Sequence, residues 1–138
     1  MSVSAGRLAH ADNNPGRTYA PVPELTPADN ADAAAEAVRA INHLTRSPRD
    51  GWQYPGDAYS TVGNLAHMAM MLPQALEQIS RLIADLNEAG RLRSDKDQLG
   101  QDLRDTVMGL EEARIAAEKL YAGLNRAHSG LSPIAYRD

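Results

Sequence analysis

Cysteine and phenylalanine are both missing from this chain of 138 residues. Without thiols there is no disulfide scaffold, no cysteine zinc site, no iron–sulfur cluster and no thiol nucleophile. Aromatic residues make up only 4% and tryptophan occurs once, so a core must be built from aliphatic side chains and methionine. Lysine is scarce as well, 2 residues against 12 arginines. No apolar run reaches the roughly 20 residues of a membrane-spanning helix. The first residues carry Arg7 and no apolar stretch, which does not read as a secretory signal. The expectation is a soluble, cytoplasmic protein with no cofactor.

What is present is alanine, 23 residues of it, within a chain that is 43% hydrophobic and 23% charged. That bulk composition is globular, and the length fits a single domain against a prior of about 150 residues. The net charge of −4 and the pI near 5.5 argue against generic nucleic-acid affinity, which a basic surface usually drives.

Residues 1–26 read as a flexible tail: they have no period, carry the turn signal Asn14, Pro15, Gly16, and end near Pro21 and Pro23, where proline enforces extended geometry. A helix is expected from Thr26 and Pro27, an N-cap followed by proline at the first helical position. It carries a stripe of Ala34, Val38, Ile41 and Leu44 or Thr45 and should end near Arg46. The segment 47–56 holds Trp52 and Tyr54. Aromatics in such a loop either fold back as a lid on the core or stand out as anchors for a partner.

A second helix is expected from about Pro55, with Tyr59, Val62, Leu65 or Ala66, and Ala69 as its stripe. Over residues 65–72 it is apolar on nearly all sides, with Met68, Met70 and Met71 as adaptable fillers and His67 as the only polar group, read as a satisfied core histidine. Pro73 should bend this helix without reversing it, since no residues are present to make a loop. Beyond it Leu72, Leu76, Ile79, Ile83 and Leu86 step as an a/d seam. Ala89 and Gly90 should end the helix, and Ser94 should open the next. That last helix is expected to run to about Ala127 on a stripe of Leu99, Leu103, Thr106 or Val107, Leu110, Ala113, Ala117, Leu120 and Leu124. Gly100, Gly109 and Gly123 weaken it by about 1 kcal/mol each relative to alanine, or else they let a neighbouring backbone approach closely. The fold expected is therefore all-α: a three- to four-helix bundle over 27–128, with a long C-terminal antiparallel hairpin and coil over 129–138.

Chemistry is hard to find in these residues. The four histidines (10, 43, 67 and 128) show neither metal-ligand spacing nor the Glu-x-x-His pairs of a di-iron bundle. No serine sits in a nucleophile elbow, and no glycine-rich phosphate loop is present. Trp52-Gln53-Tyr54 lacks the glycine of the secreted Trp-x-Gly hairpin family, and Tyr121 to Asn125 lacks that family's acidic export residue. The stretches Tyr54 to Gly63 and Leu72 to Ile79 resemble small Ala/Arg-rich helical proteins of high-GC actinobacteria. That resemblance covers about residues 50–90 and implies no activity.

The functional expectation is a non-enzymatic protein–protein interaction module, an adaptor, regulatory or assembly subunit that self-associates through helical faces. The residues expected to meet a partner are Trp52, Tyr54, Met68 and Met71. The competing expectation is a helical nucleic-acid-binding accessory protein using Arg91, Arg93, Lys96 and Arg104, although Asp95, Asp97, Asp102 and Asp105 interleave with them and weaken the local field.

Overall fold

A computed structural model describes residues 25–138. The expected tail thus lies outside the described residues, apart from Leu25 and Thr26. Among the described residues there are three α-helices and no strand: α1 (Pro27–Leu44), α2 (Pro55–Glu88) and α3 (Leu99–Leu131). The described residues are all-helical, with three helices. The chain divides into two units, Met1–Arg49 and Asp50–Asp138.

In the first unit, α1 starts where a capping box places it. Thr26 Oγ1 accepts from the Asp29 N–H at 3.1 Å, and Asp29 Oδ2 accepts from the Thr26 N–H at 3.1 Å. Two donors that an α-helix leaves orphaned at its start are satisfied reciprocally. The helix stops at Leu44, two residues short of the expected Arg46, and Thr45 Oγ1 donates to the Ile41 carbonyl at 2.8 Å.

The second unit contains α2 and α3. Pro55 occupies the first turn of α2, and Asp57 Oδ2 accepts from the backbone N–H groups of Gln53 and Tyr54, both at 2.9 Å. Pro73 lies inside α2 and the helix continues through it, its missing N–H leaving the Ala69 carbonyl without that partner. The helix closes in a Schellman motif: the Gly90 N–H donates to the Asn87 carbonyl and the Arg91 N–H to the Leu86 carbonyl, each at 3.0 Å. Gly90 has φ +69°, the left-handed geometry this motif requires.

Ser94 does not open α3. Its hydroxyl donates to Asp102 and accepts from the Lys96 N–H at 3.2 Å, which commits it to a turn over 94–97. Asp97 then adopts φ +54°, a left-handed step that no helix continues through. The helix begins at Leu99 and runs four residues beyond the expected Ala127, so the terminal coil spans 132–138.

Gly63 of α2 meets His128 of α3, and Leu76 and Ser80 line one groove with Leu110 and Arg114. Early positions on α2 thus meet late ones on α3, and the two helices pack side by side in opposite directions. Among the described residues only Ala66, Ala69 and Ala117 are fully buried. Alanines at the contact let the helix backbones approach closely, and this decides which face turns inward. Ile79, Ala113 and Leu120, expected in the seam, are exposed, while Ser80, Arg114, Tyr121 and His128 are half-buried in their place. His67, expected in a core, is exposed.

Candidate interaction surface

The residues expected to meet a partner are scattered along α2 and the loop before it. Trp52 and Met68 are half-buried, whereas Tyr54 and Met71 are about half exposed, at 51% and 50%. Tyr54 stands edge-on to Tyr136, with ring centroids 5.0 Å apart and planes at 72°. This is a favourable aromatic geometry at the molecular surface, and it gives the terminal coil a contact beside the start of α2.

The expected basic cluster lies along the turn between α2 and α3. Arg91 and Lys96 are exposed. Arg93 is ion-paired with Asp95 at 2.7 Å, and Arg104 donates to Gln101 Oε1 at 3.0 Å. Asp102 accepts from Ser94 and Gln98, and these hydrogen bonds hold its carboxyl below the ordinary range. Ionised carboxylates thus stand among the cations.

Charge is better organised in mid-seam. Arg114 makes a two-pronged contact with Glu111, at 2.6 and 3.0 Å, and reaches Glu118 at 2.8 Å. The bidentate contact pulls the Glu111 carboxyl down and pushes the guanidinium further up. With Glu77, Leu76, Ser80 and Leu110, Arg114 and Glu111 line an open groove of about 360 Å3. Fork-to-fork Arg–carboxylate geometry of this kind is self-satisfying and leaves little donor capacity for a ligand. Among the described residues no three His, Asp or Glu side chains converge as a metal site needs.

The groove fixes which side of the helix pair is charged. Successive residues turn by roughly 100° around a helix, so Ala75, Ile79 and Leu82 lie about half a turn from Glu77. By the same count Ala113, Ala116 and Leu120 lie about half a turn from Glu111 and Glu118. Both sets face away from the groove, on the opposite side of the pair. There Ile79 is 47% exposed, Leu82 56% and Leu120 46%. From Thr61 to Leu86 on α2 the positions on that side carry no charged residue, and from Thr106 to Leu131 on α3 Glu112 and Lys119 flank the stripe, about 40° and 60° around the helix from Ala116.

Small residues were the overlooked part of this surface. Thr106, Gly109, Ala113, Ala116, Leu120, Gly123 and Ala127 step by three and four, the signal of one helical stripe. Weighting positions by hydrophobic size hid it behind the larger Leu103, Leu110 and Leu124. The same weighting hid a second α2 stripe of Met68, Leu72, Ala75, Ile79, Leu82 and Leu86, which shares Leu72, Ile79 and Leu86 with the seam. In comparisons with known proteins, no family model, no curated protein and no solved structure matches the chain.

Proposed function

We propose that this protein is a non-enzymatic interaction module, an adaptor, regulatory or assembly subunit that self-associates through helical faces and so completes a helical bundle. One observation carries the reading: no large apolar side chain among the described residues is fully buried, and the long helix pair closes over three alanines alone. A pair of helices covers little more than the seam between them, so side chains such as Met71, Ile79 and Leu82 remain at the surface. Contiguous exposed apolar surface of this kind marks association sites in soluble proteins. Light scattering of the full chain at micromolar concentration should give a mass of two or more chains, and the mass of one chain would overturn the self-association.

A nucleic-acid reading rests on the turn around Arg91 to Arg104. It requires a gel shift at low salt, where the phosphate contribution is strongest. The pairing of Arg93 with Asp95 and the ionised Asp102 work against it.

A further inference from the structure

We infer that the side of the α2–α3 pair opposite the groove seats a second copy of this chain, with the large side chains of α2 in one copy packed onto the small-residue stripe of α3 in the other. The inference rests on the self-association proposed above and names the face and the packing.

The first argument comes from glycine. Gly109 and Gly123 sit in the interior of α3, where glycine is the least favourable residue after proline. A Cβ at either position would meet nothing within 4 Å, whereas at Gly63 it would strike His128. Packing between α2 and α3 explains Gly63 and leaves the other two glycines without a reason inside the pair. They lie two heptads apart on one stripe with Ala113 and Ala116, and that stripe points away from the groove. A helix from outside the pair could approach closely there.

Complementary volume is the second argument. On that side α2 offers Met71, Ile79 and Leu82, while α3 offers Gly109, Ala113 and Ala116. A two-fold axis parallel to the helices stacks α2 of each copy on α3 of the other and keeps every residue at its own level. Gly63 is level with His128, and Leu76 and Ser80 are level with Leu110 and Arg114. At equal rise, Met68 is then level with Gly123, Ala75 with Ala116, and Leu82 with a position next to Gly109. Large side chains therefore fall opposite small ones twice over, and every neighbouring pair of helices is antiparallel, as in up-down four-helix bundles.

Area decides between occupants. That side, from Thr61 to Leu86, is about 37 Å long at 1.5 Å per residue. Across two helices of about 10 Å diameter each it covers roughly 750 Å2, close to the about 800 Å2 per partner of a standard interface. The larger apolar residues of α1 (Val38, Ile41 and Leu44) span only about 9 Å, too little to cover this side. A second copy supplies a matching face of equal length.

The test uses the full chain. Wild type should scatter as two chains, and Leu82→Glu and Gly109→Leu should each scatter as one. Both substitutions should weaken association by at least about 100-fold, since one puts a charge and the other a bulky side chain into the interface. Helical circular dichroism should be unchanged by either, because Leu82 is exposed and Gly109 has open space around it. The natural chain lacks cysteine, so a mixture of Ala75→Cys and Ala116→Cys chains should form a disulfide-linked pair under oxidation, while Ala75→Cys alone should not. A wild-type mass of one chain overturns both the self-association and this face. A two-chain mass that neither substitution changes overturns the face and leaves self-association standing. A two-chain mass with cross-linking of Ala75→Cys alone overturns the proposed axis.

Discussion

Two glycines beside the helix seam carry the same expectation for different physical reasons. At Gly63 an added Cβ would lie 2.8 Å from His128 Nε2 and 3.0 Å from its Cδ2. The imidazole cannot simply swing aside, since it is stacked on Tyr59 with ring centroids 4.0 Å apart. Gly63→Ala should therefore lower stability by about 1 kcal/mol net, the overpacking cost exceeding the gain in helix propensity. Urea unfolding followed by circular dichroism measures this, and adding His128→Ala should recover most of the loss if the clash is its cause. Gly90 is a simpler case. Its φ of +69° costs a side-chain-bearing residue roughly 1 kcal/mol, so Gly90→Ala should destabilise by about that amount in the same assay. An unchanged midpoint would show that the Schellman turn relaxes without it.

At the scale of elements, the three helices begin in different ways, and this sets how much of each start could be read from residues alone. Thr26, Pro27 and Asp29 form a contiguous local signal, and α1 starts where they place it. The start of α3 depends on Ser94 reaching eight residues ahead to Asp102, which no local pattern of residue types reveals, and the expected start was four to five residues early. Proline in mid-helix was legible at Pro73 because nothing around it could make a turn. The seam was legible only in part. Ala66, Ala69 and Ala117 all lie on expected stripes and are the buried residues, whereas Ile79, Ala113 and Leu120 were expected inside and are exposed, because several apolar stripes compete on both helices and periodicity alone does not choose between them.

Those helix starts also predict the acid response. Hydrogen bonds from backbone N–H groups hold the carboxyls of Asp29 and Asp57 below their ordinary range, and side-chain hydrogen bonds from Ser94 and Gln98 do the same for Asp102. A carboxylate depressed in the folded state stabilises fully above the unfolded value of about 3.9, and the contribution is lost as pH falls through the lower folded value. Stability should therefore be flat in pH from neutrality to about 5 and decline below about 4. The Asp57→Asn variant should start lower and decline less steeply, as urea midpoints at several pH values will show. An equal acid slope in the two proteins would remove Asp57 as a contributor.

On the scale of the whole molecule, the distribution of charge and apolar surface is more informative than any single site. One side of the α2–α3 pair holds the Arg114 cluster with Glu77, Glu111 and Glu118; the other carries exposed Ile79, Leu82 and Leu120. If the native state is two chains joined on that second side, unfolding also dissociates them, and the midpoint must depend on concentration. A tenfold rise in concentration adds about 1.4 kcal/mol per dimer, which for two chains of this size raises the thermal midpoint by about 3 °C. Leu82→Glu and Gly109→Leu should abolish that dependence. The two variants should then separate at any one concentration. Gly109→Leu unfolds at the higher temperature of the two, because replacing an interior glycine with leucine contributes most of about 1 kcal/mol to α3, while Leu82→Glu brings no such gain. A wild-type midpoint that stays constant over a hundredfold range of concentration would mean that the helix pair is stable alone, with its apolar side facing water.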